Sequence, residues 1–328
     1  MRETATRYPT ILDTIGHTPL VQLQKLNPNP LVTLLAKVEY FNPGCSIKDR
    51  MVLHIVNEAE KSGLLKPGGT IIENTSGNTG AAVAMIAAIR GYKAILTMPD
   101  KVSKEKQNTL KAFGAEITVC KEVPSDSPDH YVNVAIKLAE KTPNSFRINQ
   151  YDNLKNPEAH YLTTGPEIWE QTHGQIDYFI ACCSTGGTIS GAGRYLKEKN
   201  PKLKIIMPDP VGSIYYEYFK TGKIPKDAPC NYHLEGIGED HLTEAMDFSL
   251  VDEVIPVCDK EAFQMGRTLA RTEGILAGGS SGAAVLVSLQ VAKRINTPST
   301  IVTILPDGGV KYLSKMYDDE WMKQHDCL

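Results

Sequence analysis

Several signatures are missing from this sequence, and each absence removes a class of function. Charge of one sign is not in surplus: Lys plus Arg total 35 and Asp plus Glu 38, a net charge of −3 at pH 7. A nucleic-acid binder usually carries a basic patch and an elevated pI, so none is expected here. The cluster Lys101, Lys104, Lys106 is broken by Asp100 and Glu105 and reads as a solvated face. The longest apolar run, Ala81 to Ile89, falls far short of the roughly 20 residues a bilayer-spanning helix needs. The opening Met1-Arg2-Glu3-Thr4 has an acidic residue and no apolar stretch after it, so no secretory signal is expected. The 7 cysteines form no Cys-x-x-Cys pair, and no His-Glu-x-x-His occurs. Neither a metal site nor a disulfide framework is predicted; the cysteines read as reduced, mostly buried thiols of a cytoplasmic protein. A Gly-x-Ser-x-Gly elbow, a Walker lysine and a Gly-x-Gly-x-x-Gly turn are also missing, which argues against a hydrolase triad, nucleoside triphosphates and dinucleotides.

What remains is an ordinary globular composition, 41% hydrophobic and 22% charged over 328 residues. That length suits about two domains or one large α/β unit. Short β-rich runs alternate with helical patterns, as a parallel sheet requires. The pattern predicts strands at Val32–Tyr40, Thr70–Asn74, Lys93–Met98, Glu116–Cys120, Tyr178–Cys182, Leu203–Met207, Glu253–Val257 and Thr300–Leu305. It predicts helices at Asp49–Ser62, Thr79–Arg90, Lys104–Phe113, Val132–Glu140, Thr164–Thr172, Thr188–Lys199, Lys260–Thr272 and Gly282–Ile295. The rhythm breaks at Pro143–Pro157, read as a domain crossover, and at Gly222–Asp240, too long for a plain connection and so read as functional.

Four junctions at predicted helix starts are loaded with Gly, Ser, Thr and Asn, and ligands of open α/β sheets bind beyond the carboxyl ends of strands. The first, Asn42-Pro43-Gly44-Cys45-Ser46-Ile47-Lys48-Asp49-Arg50, puts Lys48 at a helix start. There the positive end of the helix dipole disfavours an ammonium and favours the neutral amine that Schiff-base chemistry uses. The second, Glu73-Asn74-Thr75-Ser76-Gly77-Asn78-Thr79-Gly80, offers backbone N–H groups and hydroxyls to a carboxylate or phosphate. In the third, Ser184-Thr185-Gly186-Gly187-Thr188, two glycines let the backbone curl around an anion like a phosphate cradle. The fourth, Ala277-Gly278-Gly279-Ser280-Ser281-Gly282, leads into a helix; either serine could be a simple N-cap. A lysine for an aldimine, a phosphate cradle and a carboxylate-binding turn fit, jointly, a pyridoxal phosphate enzyme.

At these residues the chain resembles the fold-type II pyridoxal phosphate enzymes of the cysteine synthase and cystathionine β-synthase family. The likeness runs from Ile15-Gly16-His17-Thr18-Pro19-Leu20 to Ile304-Leu305-Pro306-Asp307. It implies an α/β fold of two three-layer αβα domains with the cofactor in the cleft between them. Residues 1–19 with 42–152 would form a smaller, mobile domain, and 20–41 with 153–328 a larger cofactor-binding one. It implies Lys48 as the catalytic aldimine lysine and Asn78 beside the cofactor's O3′. Ser184, Thr185, Gly186, Gly187 and Thr188 match the phosphate loop, and Ser280 the serine facing the pyridine nitrogen. Thr75, Ser76, Asn78, Thr79, Gln150 and Gly236 are the implied substrate contacts. The stretches Gln150-Tyr151, Asn156-Pro157-Glu158-Ala159-His160-Tyr161, Asp209 to Ile214, Glu235-Gly236-Ile237-Gly238 and Asp319-Glu320-Trp321-Met322 look closer to cystathionine β-synthase.

Two positions depart from the family pattern. Ser184 stands where the phosphate loop usually begins with Gly, and its hydroxyl either adds a donor to the phosphate or fills space. Cys45 replaces the second Gly of the lysine motif, and is read as a small buried side chain, with a reactive thiol as the alternative. The likeness covers the catalytic core of larger relatives, so haem control and a regulatory tandem are not expected. It further implies a homodimer that joins serine or O-acetylserine to homocysteine through an aminoacrylate, giving cystathionine. Cysteine synthase, using sulfide, is the alternative, a serine or threonine dehydratase a more distant one, and a non-catalytic binding protein is disfavoured by the intact Lys48. The Tyr215-Tyr216-Glu217-Tyr218-Phe219 stretch is expected in the core or a dimer interface rather than at the entrance for the second substrate.

Overall fold

A computed structural model describes residues 7–75, 77–100, 102, 104–124, 126–225 and 231–328. Ser76, expected in the carboxylate loop, and Lys101 of the basic cluster lie outside the described residues. Among the described residues the strands are β1 (Leu20–Gln22), β2 (Val32–Val38), β3 (Thr70–Asn74), β4 (Lys93–Pro99), β5 (Glu116–Cys120), β6 (Ser145–Arg147), β7 (Tyr178–Ile180), β8 (Lys204–Pro210), β9 (Glu253–Val257) and β10 (Ser299–Leu305). The helices are α1 (Lys48–Lys61), α2 (Asn78–Arg90), α3 (Lys104–Ala112), α4 (Tyr131–Lys141), α5 (Lys155–Leu162), α6 (Thr164–Gln171), α7 (Gly187–Lys199), α8 (Tyr215–Thr221), α9 (Asp259–Glu273), α10 (Gly279–Arg294) and α11 (Asp319–Gln324). No helix among the described residues is long and apolar enough to cross a membrane.

The chain divides into two compact units, one of residues 1–16 and 42–155, the other of 17–41 and 156–328. The first holds a sheet in the order β5-β4-β3-β6, every pair parallel. Its central strand β3 is buried along its whole length, which is why Thr70–Asn74 reads as a run rather than an alternation. Helix α2 is Ala-rich and buried over most of its length, packs on α1 and against β3 and β4, and stops at Gly91 in the left-handed region.

The second unit holds the order β1-β2-β10-β7-β8-β9, parallel except for the antiparallel edge pair β1–β2. Its core joins Leu34, Ala36 and Val38 of β2, Ile301 and Leu305 of β10, and Val285, Val287 and Val291 of α10. One cation is buried in it. Lys37 Nζ donates to Glu167 Oε2 at 2.7 Å, Gln171 Oε1 at 2.8 Å and the Thr18 carbonyl at 2.8 Å, while Glu167 Oε1 accepts from the His17 N–H.

The predicted pattern overshoots in two strands and omits five elements. Strand β2 stops at Val38 and gives way to a 3-10 turn over Glu39–Phe41, where Glu39 accepts from Thr18 Oγ1. Strand β7 stops at Ile180, since Cys182 and Cys183 turn into the next loop. The three-residue strands β1 and β6, and helices α5, α8 and α11, are too short to establish a period. The expected domain crossover at Pro143–Pro157 contains β6 and the start of α5, and the chain passes from one unit to the other within it, between Lys155 and Asn156.

Removing one member of a buried ion pair leaves an uncompensated charge. Lys37→Ala should therefore cost about 3–5 kcal/mol of unfolding free energy, read by denaturant titration.

Candidate active site

The first unit gathers its share of the site at the carboxyl end of β3. Helix α2 starts at Asn78 behind Gly77, with no side chain capping it and no acidic residue in its first turn. Helix starts of this kind can bind anions through their backbone N–H groups. Thr79 Oγ1 donates to Gln150 Oε1 at 2.7 Å, so two residues far apart in sequence stand side by side, both buried. Gly77 N–H donates to Thr75 Oγ1 at 3.2 Å, folding the loop on itself.

Lys48 is the first residue of α1. Its N–H donates to Ser46 Oγ at 3.3 Å, and the loop before it is closed by Asp49 Oδ2, which accepts from the Gly44 N–H at 2.6 Å. Cys45 lies in the left-handed region with φ 58°, a conformation a glycine adopts without cost. Its side chain is exposed, which corrects the expectation of a small buried residue: the strained turn lifts the side chain out of the interior.

The second unit contributes the phosphate-type loop. Helix α7 begins at Gly187, after Gly186 at φ 88°, again with no side-chain cap and no acid in its first turn. Both glycines are required by close approach. A Cβ at Gly186 would strike the Met246 backbone, and one at Gly187 the Asn156 side chain. Asn156 Nδ2 donates to Thr185 Oγ1 at 3.0 Å, and Thr243 Oγ1 donates to the Thr185 carbonyl at 2.8 Å. Thr188 Oγ1 lies 3.4 Å from His160 Nε2, whose Nδ1 is 2.9 Å from Thr164 Oγ1. Ser184 is tied twice: its Oγ donates to Glu239 Oε1 at 2.5 Å, and its carbonyl accepts from Tyr215 Oη at 2.7 Å. Tyr215 is fully buried against Phe248 and belongs to the core. The turn carrying Gly236 docks here as well, with Gly238 N–H donating to the Cys183 carbonyl at 2.6 Å.

Helix α10 follows the same rule, with Gly278 as N-cap, no side-chain cap and no acid in its first turn. Ser280 is buried there, and its carbonyl accepts from Cys182 Sγ at 3.1 Å, which joins this helix start to the phosphate-type loop. Ser281 Oγ is buried without a hydrogen-bond partner. Gly187 N–H donates to Thr185 Oγ1 at 3.4 Å and Ser281 N–H to the Gly278 carbonyl at 3.1 Å, and glycine-led helix starts flanked by hydroxyls are a setting that a phosphorylated, anionic cofactor fits. Acidic groups lie against these helix starts: Asp307, whose carboxylate packs on Gly278, and Glu239 at Ser184, which also lies 3.7 Å from His241 Nδ1, itself 2.7 Å from Asp240 Oδ1.

Neither Asn156, His160, Thr243, Cys182 nor Glu239 was picked out as a supporting contact from the sequence. Asn156 and His160 stood only in a family-like run. The partners lie 29 and 28 residues from Thr185 and Thr188, so no local pattern connects them.

Behind the loop, on β8, Asp209 Oδ2 accepts from the Tyr216 N–H at 2.9 Å while Oδ1 is buried without a partner. Burial pushes its carboxyl up to about 7 against the pull of the Ser213 hydroxyl and the Tyr216 N–H. Burial, reinforced by Asp209, also pushes the Cys182 thiol up, so it stays protonated and able to donate. In the folded state Asp209 titrates above the ordinary aspartate value of 3.8, so between about pH 4 and 7 the folded state holds a proton the unfolded chain has lost. Stability therefore falls as pH rises through that window, by an amount on the order of 4 kcal/mol at most. Asp209→Asn should lose that slope, its melting temperature dropping less than the wild type's between pH 4 and pH 8.

Comparison with known proteins agrees with this chemistry. The sequence pattern of the family described as "Pyridoxal-phosphate dependent enzyme" matches residues 11–307. The chain is 46% identical over 323 residues to cystathionine beta-synthase of Apis mellifera, covering 98% of this chain and 63% of that protein. It is 42% identical over 328 residues to cystathionine beta-synthase of Saccharomyces cerevisiae, covering 96% and 64%. It is 38% identical to cysteine synthase 1 of Neurospora crassa, covering 96% and 84%. The chain thus spans about three-fifths of the length of the cystathionine beta-synthases it matches. Among solved structures, a crystal structure of O-ureido-L-serine synthase superposes with a TM-score of 0.87 at 35% identity, covering 97% of this chain and 99% of that one. With α/β units built on parallel sheets, a lysine at one helix start and three others with no acidic residue in the first turn, the chain belongs to the fold-type II pyridoxal-phosphate dependent enzymes.

Proposed function

We propose that the protein replaces the β-substituent of serine, or of an activated serine such as O-acetylserine, with the sulfur of homocysteine, forming cystathionine. The observation that carries this reading is a pair of glycine-led helix starts, each with no acid in its first turn and each with different neighbours. The start of α2, with its Thr79–Gln150 pair, suits a planar carboxylate. The start of α7, with the flanking Thr185 and Thr188, suits a tetrahedral phosphate. A phosphorylated cofactor and an amino acid together need both.

Pyridoxal phosphate, when bound, supplies an electron sink for bond breaking at the amino acid's Cα. Lys48 Nζ would hold its aldehyde carbon, Thr185, Gly186, Gly187 and Thr188 its phosphate, Asn78 its ring oxygen and Ser280 its ring nitrogen. The hydroxyl of Ser184 is already given to Glu239, so this residue would act on the phosphate through its backbone. A neutral serine at the ring nitrogen, in place of a carboxylate, does not hold that nitrogen protonated, which favours loss of the β-substituent over transamination. Thr75, Ser76, Asn78, Thr79 and Gln150 would fix the substrate carboxylate and so orient the Cα–H bond. The amine of Lys48 would take the Cα proton. Gly236, on the turn docked at Cys183, stands for the second substrate. A homodimer in the cytoplasm belongs to the same reading.

Homocysteine is preferred as the thiol because cystathionine beta-synthases match at 42–46% identity. Sulfide, and so cysteine synthesis, is the second reading. It is favoured by the fuller coverage of the cysteine synthases, 84% and 85% of their length.

The test loads the protein with cofactor, adds serine, O-acetylserine or O-phosphoserine, and follows the cofactor absorbance before chasing with homocysteine or sulfide. Cystathionine formed with homocysteine preferred over sulfide is the expected result; preference for sulfide selects the second reading. Keto acid release without thiol capture would overturn both. Lys48→Ala should lower kcat by about 10²–10⁴-fold or more, and wild-type turnover in that variant would overturn the assignment of Lys48.

A further inference from the structure

A carboxylate is buried in the sheet directly beside the carboxylate-binding loop, where it would have been simpler to place an aliphatic side chain. Glu73, the fourth residue of β3, has no exposed surface. Its Oε2 accepts from the Asn149 N–H at 2.9 Å, and its Oε1 is buried without a partner. Burial pushes the carboxyl up to about 7, against the Asn149 N–H, the Arg147 guanidinium and the Gln150 N–H. A group held at such a desolvation cost is retained for a geometric task or not at all.

The geometry shows the task. Strand β6 ends at Arg147, and the chain then turns at Asn149, which sits in the left-handed region at φ 53°. A non-glycine residue there persists only when its surroundings hold it. Downstream, the Asn149 carbonyl accepts from the N–H groups of Asn153 at 2.9 Å and Asp152 at 3.2 Å. Upstream, Glu73 takes the Asn149 N–H. Next in the chain is Gln150, whose amide oxygen accepts from Thr79 Oγ1 at 2.7 Å. An amide whose oxygen end is fixed in this way has N–H donors at its other end, the polarity a substrate carboxylate requires. A second brace joins the same two strands: Arg147 Nη2 donates to Asn74 Oδ1 at 3.1 Å, immediately before Thr75.

We propose that Glu73 is a positioning residue for substrate recognition: from the end of β3 it fastens the Asn149–Gln150 turn and so sets where the Gln150 amide stands against Thr79. This rests on the reading, given above, that Thr79 and Gln150 hold the carboxylate of the amino-acid substrate. Glu73 touches neither substrate nor cofactor and acts only through the turn.

The experiment compares Glu73→Met, Glu73→Asp, Glu73→Gln, Gln150→Ala and the Glu73→Met/Gln150→Ala double variant, each loaded with pyridoxal phosphate. Serine binding is titrated by the change in cofactor absorbance, KM and kcat are measured separately, and thermal melting reports the fold. Glu73→Met should weaken serine binding by about tenfold or more, a loss of roughly 1.4 kcal/mol, with kcat and cofactor affinity little changed. Glu73→Asp keeps the charge but withdraws the oxygen, so it should weaken serine binding several-fold without lowering the melting temperature much. This variant carries the test if Glu73→Met does not fold. Glu73→Gln keeps an acceptor oxygen and should restore binding. The double variant should bind no worse than Gln150→Ala alone, because the two act as one unit. Serine affinity unchanged in Glu73→Asp, or losses that add in the double variant, would overturn the role of Glu73 while leaving the carboxylate site intact. If Gln150→Ala itself binds serine normally, the carboxylate reading fails and the proposal falls with it.

Discussion

Three helices that start from a glycine with no acid in the first turn are the constraint on which this molecule turns. An α-helix leaves up to about four N–H groups unpaired at its start, and most sequences satisfy them with a Ser, Thr, Asp or Asn side chain. Asp318 caps α11 in this way and Thr10 the 3-10 turn at Ile11, whereas α4, α6, α8 and α9 begin without a side-chain cap. At α2, α7 and α10 the chain places glycine instead, with no acid in the first turn. In each unit such a start follows a parallel strand, β3 before α2 and β7 before α7, the setting in which helix starts bind anions.

Such loops are rich in glycine and would be loose by themselves, so their shape has to be imposed from outside. In the second unit Asn156 and Thr243 grip Thr185, Tyr215 and Glu239 grip Ser184, and Cys182 reaches the carbonyl of Ser280. In the first, Glu73 and Arg147 tie β3 to the turn bearing Gln150. Two of the supports, Glu73 and Asp209, are carboxyls whose burial holds them near neutrality in their protonation. Stability is given up to keep the loops in place, a common relation between site geometry and fold.

The sequence carried the ligand-facing layer well because that layer is local. Lys48 at a helix start, Gly186-Gly187 at another and Ser280 at a third are signals of a few residues, and the helices begin within three residues of the expected positions. The supporting layer was invisible because its pairs are distant in sequence. Thr79 meets Gln150 across 71 residues, Glu73 meets Asn149 across 76, and Ser184 meets Glu239 across 55. Strand β6 was missed since three residues establish no alternation, and Tyr215 was placed in the core on composition, without its hydrogen bond to Ser184. Cys45 went the other way. Its residue type suggested burial, and only the backbone dihedral shows why it is exposed.

The central claim is that the acid-free helix start at Gly187 is a seat for the cofactor's phosphate. The most direct measurement is equilibrium binding of pyridoxal phosphate against pyridoxal, followed by absorbance, with inorganic phosphate as competitor. Two or more charge-assisted hydrogen bonds of roughly 1.5–3 kcal/mol each predict that the phosphate ester binds at least about a hundredfold more tightly, and that inorganic phosphate weakens it. Equal affinities for the two, insensitive to inorganic phosphate, would contradict the account.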